Sequence, residues 1–236
     1  MKSRIVIGDV HGCYLTLMAL LMKLPKGIPI TISGDLIDRG PRSREVVQWC
    51  IDNNIDVTMG NHEQMMAEED KGTWLHNGGY QCLESYGCQV VQTGYGQSSI
   101  YFPDDKMAVI YDEHRAYMAN LPLFLEYKDV VDAHGRYLVV SHSSINNVWK
   151  WDDKRRKDQF RSFKQAIVWG RPNTIKDVKE IYNIFGHTPV EDGPKIKVPF
   201  ANVDTGACFH GHVGYGVLTA LQYPEMIVYQ QENVDV

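Results

Sequence analysis

The chain has 236 residues, 44% hydrophobic and 22% charged, with a formal net charge of −5, an ordinary globular balance that supports one sizeable core. The acidic balance argues against a nucleic-acid binder relying on a general basic surface, and no apolar run approaches the roughly 18 residues of a membrane span. Five scattered cysteines fit reduced thiols rather than a disulfide framework, and the N-terminus enters a strand without a signal-peptide h-region, so the expected setting is cytoplasmic.

Taken in order, Ile5-Val6-Ile7 reads as a strand leading into Gly8-Asp9-Val10-His11-Gly12, and Tyr14, Leu17, Met18, Leu21 and Met22 then recur at helical spacing. A second apolar run, 28–32, leads into Ser33-Gly34-Asp35-Leu36-Ile37-Asp38-Arg39-Gly40, followed by a helix with Val46, Val47, Cys50 and Ile51 on its apolar stripe. The third, 55–59, delivers Gly60-Asn61-His62-Glu63 and a short helix carrying Met65 and Met66. This alternation predicts right-handed βαβ units on a parallel sheet.

From 71 to 132 the pattern is less regular and is expected to form a helical and loop cap beside the site, within a single domain spanning 1–236. A helix is expected through Leu83 and Tyr86, a polar glycine-rich surface loop over Thr93–Ser99, a helix over Met107–Asn120 and a strand over Leu121–Tyr127. The interleaved charges of Lys150–Lys157 read as a solvated face. Strands return at Tyr137–Val140, ending in Ser141-His142-Ser143, and at Ile181–Phe185, ending in Gly186-His187-Thr188, with a helix over Phe160–Trp169 between them. Strands within 200–207, 217–221 and 226–229 suggest a second, more antiparallel sheet. The expected fold is α/β (α+β): two mixed β-sheets packed face to face and flanked by helices.

Five apolar strands thus end in oxygen or imidazole side chains, and in such sheets ligands gather beyond the strands' carboxyl ends. The candidate donors are Asp9, His11, Asp35, Asn61, His142 and His187, too many for one tetrahedral zinc. Mixed oxygen and imidazole donors without thiolate suit Mn²⁺, Fe²⁺ or Zn²⁺. Two metals about 3.5–4 Å apart are the economical solution, with Asp35 as the bridge; such a pair makes water a nucleophile at neutral pH and neutralises phosphate charge. Arg39 and Arg171 offer planar forks for phosphate oxygens. His62 lies beside the metals without needing to bind one, placed to protonate a leaving oxygen, and Asp38 is placed to hold its tautomer and raise its pKa.

The three motifs around Asp9, Asp35 and Asn61 resemble those of the phosphoprotein phosphatase family within the calcineurin-like metallophosphoesterases. More narrowly, Asn61-His62-Glu63-Gln64-Met65-Met66, Trp74-Leu75-His76-Asn77-Gly78-Gly79, Ile167-Val168-Trp169-Gly170-Arg171, Phe185-Gly186-His187-Thr188-Pro189 and Asp204-Thr205-Gly206-Ala207 resemble the phage lambda type of Ser/Thr phosphatase. The resemblance implies a first metal on Asp9, His11 and Asp35, and a second on Asp35, Asn61, His142 and His187. It also implies phosphate contacts from Arg39 and Arg171, a His62/Asp38 general acid, and manganese as the usual ion, with Fe²⁺, Zn²⁺, Ni²⁺ or Co²⁺ also suited. Two departures stand out: Ser143-Ser144 after His142, where the family shows a small residue and then Gly or Asp, and the segment 93–105, which has no counterpart.

The expected reaction is hydrolysis of phosphoserine or phosphothreonine, with phosphotyrosine a further substrate, by direct attack of a metal-bridging hydroxide. The expected partner is a phosphoprotein or phosphopeptide, with no nucleic acid and no membrane. The alternative is symmetrical hydrolysis of diadenosine tetraphosphate, against which Asp38 and Glu63 weigh. An inactive phospho-ligand binding module is a minor alternative, since no ligand is missing. Asp204 reads equally as support for the metal site or as the start of a turn, whereas His76, His114, His134, His210 and His212 read as structural.

Overall fold

The computed structural model describes residues 2–68, 71–93 and 97–235. The N-terminal units alternate as expected: β1 (Arg4–Ile7), α1 (Tyr14–Leu21), β2 (Ile30–Ile32), α2 (Ser43–Asp52), β3 (Asp56–Val57) and α3 (Asn61–Ala67). Strands β1, β2 and β3 pair in parallel with β2 in the middle. Next come α4 (Lys71–Trp74), a π-helical turn (Leu75–Gly79) and α5 (Tyr80–Ser85). Where a surface loop was expected, β4 (Gln89–Thr93) and β5 (Gln97–Tyr101) form an antiparallel hairpin; Gly94, Tyr95 and Gly96 of that loop lie outside the described residues.

Helix α6 (Asp105–Ala119) packs against α3 and α2. The second sheet then begins inside the stretch expected as a cap, with β6 (Phe124–Val131), and continues with the expected strand β7 (Tyr137–Ser141). Helices α7 (Asp153–Asp158) and α8 (Phe160–Val168) follow, then β8 (Ile181–Phe185), β9 (Lys195–Lys197), β10 (Phe200–Asn202), β11 (Val217–Tyr223) and β12 (Ile227–Glu232). Helix α7 buries no residue, in keeping with a solvated face.

The sheets run β12-β11-β1-β2-β3 and β6-β7-β8-β10-β9, which corrects the expected placement of the C-terminal strands. They do not form one sheet together: β11 pairs antiparallel with β1, while β10 pairs parallel with β8. The reason is that both sheets are buried on both faces, so strands from either look alike in sequence. On β1, Val6 faces the interior between the sheets with Leu138, Val140, Tyr182, Ile184, Leu221 and Tyr223, while Ile5 and Ile7 face α1 and α2 with Leu17, Leu20, Val46 and Val47. On the far side, Val139 and Ile181 pack beneath Phe163 and Ile167 of α8. Burying roughly 1.5–3 kcal/mol worth of apolar side chain at each such position fixes the alternation and sets both sheets' carboxyl ends at one edge of the sandwich. No helix among the described residues is long and apolar enough to cross a membrane.

Candidate metal centre

The expected site residues stand where strands end. Asp9 lies two residues past β1, Asp35 three past β2, Asn61 and His62 open α3, His142 directly follows β7 and His187 lies two past β8. These six and His11 are all buried, at most 7% exposed. Backbone bonds stitch the loops together: the His11 N–H donates to the Asp35 carbonyl at 2.8 Å, Gly12 N–H to Leu36 at 2.8 Å and Gly186 N–H to His142 at 2.9 Å.

Backbone strain is concentrated here. His11, Asp35, Asp38, Arg39 and His187 have φ of 46°, 50°, 74°, 67° and 71°, in the left-handed region that costs a residue with a side chain about 1–3 kcal/mol. Two glycines leave room rather than adopt unusual angles. A Cβ at Gly60, whose φ is −93°, would collide with the Asp35 carboxylate, and one at Gly186 would collide with that of Asp9.

Among the described residues, two groups bring their donor atoms within 4.8 Å of one another: His11, Asp35 and His62, and Asp35, His142 and His187. Asp35 belongs to both. Its Oδ2 faces His11 Nε2 at 3.5 Å, and its Oδ1 faces His142 Nε2 at 3.3 Å. Asn61 Oδ1 lies 2.9 Å from both His142 Nε2 and His187 Nδ1. Asp9 stands outside these two groups; its carboxylate accepts the His187 backbone N–H at 3.0 Å.

The chemistry of this donor set fits divalent cations. His11 Nδ1 is 2.9 Å from the Ile37 carbonyl and His142 Nδ1 is 2.9 Å from that of Ser33, so each ring's proton is committed there and each Nε2 turns a lone pair toward Asp35. Burial, reinforced at His11 by Arg39, holds both imidazoles below the usual histidine range; burial and His142 push His187 down to about 3. Burial would raise Asp35, but the four surrounding imidazoles together take it below the usual carboxylate range. With the His11 and His142 protons on Nδ1, their Nε2 lone pairs meet the Asp35 carboxylate with no proton between, and a cation resolves that crowding of lone pairs.

His62 behaves differently from the other three. Its Nδ1 donates to Asp38 Oδ2 at 2.6 Å, and Trp74 Nε1 donates to both Asp38 oxygens at 3.0 Å. Burial alone would lower its pKa, but the Asp35 charge and the Asp38 hydrogen bond raise it. At the mouth, Arg39 Nη1 donates to His11 Nε2 at 2.8 Å, a lone pair that a cation would compete for. Arg171 is exposed, its Nε 3.4 Å from His187 Nε2.

Residues 3–215 match the calcineurin-like phosphoesterase family. The chain belongs to the calcineurin-like phosphoesterase family. Among curated relatives, a serine/threonine-protein phosphatase 1 of Salmonella typhimurium is 28% identical over 88% of each chain. A bis(5'-nucleosyl)-tetraphosphatase PrpE [asymmetrical] of Anoxybacillus flavithermus is 26% identical over 94% of this chain and 90% of its own. In fold, a Saccharomyces cerevisiae protein serine/threonine phosphatase superposes with a TM-score of 0.59 at 13% identity, covering 99% of this chain and 80% of that one.

Within this calcineurin-like phosphoesterase, the structure adds residues absent from the candidate set. Glu63 is fully buried, and its carboxylate accepts the backbone N–H groups of Asp35 at 2.8 Å, Leu36 at 2.7 Å and Gly60 at 2.9 Å. It therefore clamps the Asp35 loop to α3; its position three residues after Gly60 is the helix-capping signal that marks it. Trp74 carries no such signal. Asp204 Oδ1 accepts the Gly206 N–H at 2.9 Å, a turn contact, and the Asp204 charge bears on Asp9 beside it. Burial pushes Asp204 up to about 6 and also raises Asp9. His76, His134, His210 and His212 are exposed, and His114 is buried against Tyr86 and Gln48. No disulfide forms among the cysteines.

Proposed function

We propose that this calcineurin-like phosphoesterase is a metal-dependent phosphomonoesterase acting on phosphoserine and phosphothreonine in proteins, its whole length serving as one catalytic domain. The observation that carries the reading is His62, the one site imidazole whose surroundings favour the charged form, 2.6 Å from Asp38. An alkoxide leaving from serine or threonine is a strong base that needs a proton in the transition state, and a positioned acid contributes roughly 10²–10⁴-fold. A phosphate group leaving from an anhydride is a weak base and needs little help. The pair is therefore matched to a monoester.

Two divalent cations, manganese the expected pair, held by Asp9, His11, Asp35, Asn61, His142 and His187, supply a lowered water pKa and neutralise phosphate charge. The chain's own side chains do the rest. Arg39 and Arg171 bind and orient phosphate oxygens, the more so because Arg39 is free to leave His11 once that lone pair is taken. Asp38, braced by Trp74, holds the His62 ring with its Nε2 turned toward Asp35, at 3.9 Å from Oδ2. Glu63 fixes the Asp35 loop, and burial of the donors keeps bulk water from competing. Retention of every ligand and of the acid pair weighs against a silent binding module.

A second reading, hydrolysis of dinucleoside polyphosphates, is favoured by the PrpE relatives, which are named for asymmetrical rather than symmetrical cleavage. The test is kcat/KM measured side by side on a phosphoserine peptide and on diadenosine tetraphosphate with manganese supplied. A higher value for the peptide is expected; a large preference for the dinucleotide would replace the first reading with the second.

A further inference from the structure

Beside Arg171 opens a cavity of about 240 Å³ between the 170–175 loop and strands β8 and β10. It shares walls with the metal centre: Ser143 follows His142, Thr188 follows His187, and Arg171 edges both. Its lining is mainly apolar, from Phe185 and Phe200, whose ring centroids are 5.8 Å apart and tilted by 35°, together with Ile175 and Val190. The volume is below the roughly 300–1,000 Å³ that drug-sized ligands occupy. One side chain or one ring fits.

Of the neutral polar side chains in the wall, Ser143 and Asn202 are already committed, leaving Asn173 and Thr188. Ser143 Oγ donates to the Gly170 carbonyl; Asn202 Nδ2 donates to the Thr188 carbonyl at 2.8 Å while its Oδ1 accepts the Asp204 N–H at 3.0 Å. A nucleobase placed there would lose hydrogen bonds to water and find few in return, a cost that an aliphatic or phenyl group does not bear. The charged members of the lining, Arg171 and Lys195, are both cationic and exposed, and no carboxylate accompanies them. An apolar group carried next to negative charge is the chemistry that matches. Ser143, a small residue where the family pattern also has one, leaves the cavity open, and its hydroxyl anchors the carbonyl just before Arg171.

We propose that this cavity receives the apolar side chain of a residue neighbouring the phosphorylated Ser or Thr, so that phosphopeptides with Leu, Met or Phe beside the phosphoresidue are preferred. The inference rests on the phosphomonoesterase reading above. The experiment uses the full-length, manganese-loaded enzyme on phosphoserine peptides carrying Phe or Gly at each flanking position in turn, with p-nitrophenyl phosphate as the small control. At one position Phe should raise kcat/KM about tenfold or more, through KM, as expected for burying one large apolar side chain. Ile175→Trp, which fills the cavity, should abolish that preference and leave p-nitrophenyl phosphate turnover unchanged. Ile175→Asn, a smaller change, should reduce it in the same direction.

Phosphopeptide turnover with no preference at any position, or a preference that survives both variants, overturns the cavity assignment and leaves the monoesterase reading intact. No turnover of any phosphopeptide removes both. A KM increase in Ile175→Trp confined to diadenosine tetraphosphate would assign the cavity to a nucleoside and overturn the proposal.

Discussion

Replacing Asp38 by Asn isolates the proposed proton-donating pair while preserving shape. Asp38 Oδ2 meets His62 Nδ1 at 2.6 Å in a fully buried setting, and hydrogen bonds to a charged group are worth about 1.5–3 kcal/mol. Removing the charge leaves Trp74 Nε1 an amide oxygen to bond but deprives His62⁺ of its counter-charge. At about 1.4 kcal/mol per tenfold, kcat on a phosphoserine peptide should fall by roughly 10–150-fold, with thermal stability checked in parallel. Because p-nitrophenolate leaves with little need of a proton, turnover of p-nitrophenyl phosphate should fall far less. The sign of the pH effect also follows: Asp38 helps raise the His62 pKa, so without it the acid form is lost at lower pH and the alkaline limb of the kcat profile moves acidward. Equal losses on the alkyl and aryl substrates, with an unmoved alkaline limb, would refute the general-acid assignment.

Other consequences are separately measurable. Asp35→Asn or His142→Ala should lower bound metal in elemental analysis and remove activity; full turnover by a metal-stripped enzyme would defeat the two-cation account. Glu63→Ala strands three buried backbone N–H groups, each costing about 1–3 kcal/mol, so urea unfolding should show a loss of at least about 3 kcal/mol at unchanged m-value; a loss below about 1 kcal/mol would refute the clamp. His114, whose Nδ1 accepts from the Tyr86 hydroxyl at 2.8 Å while Nε2 donates to Gln48 at 3.1 Å, has its pKa lowered from 6.5 to about 4 by burial and then by Arg44. A depressed folded-state pKa gives stability that is complete above pH 6.5 and lost as pH falls toward 4, at most about 3 kcal/mol. His114→Gln should flatten that part of the stability profile, and an unchanged acid limb would show that another group carries it. Gly186→Ala should push the Asp9 carboxylate aside and reduce metal retention without unfolding the chain; metal content equal to wild type would show that Asp9 tolerates the shift.

The sequence by itself determined the local devices: strands ending in glycine, donors placed just beyond them, and helices returning each chain segment to the next strand. Those follow from short-range physics, since apolar runs of that length and residues such as Gly60 have few alternatives within a few positions. It also placed Asn61 beside His62 and Asp35 near Asp38, so the candidate donors and the proposed acid pair both stand out from the sequence alone. Three things depended on tertiary structure. Which sheet the strands at 200–202 and 217–223 would join was open, because both sheets bury both faces and their strands share one apolar signature. The left-handed φ of His11, Asp35, Asp38, Arg39 and His187 is imposed by cross-loop hydrogen bonds between distant segments, and nothing in those residue types announces it. The opposite pKa displacements of His62 and its three neighbouring imidazoles arise from burial, from the Asp35 charge and from the Asp38 carboxylate 2.6 Å from His62, and such electrostatic differences exist only once the chain has folded.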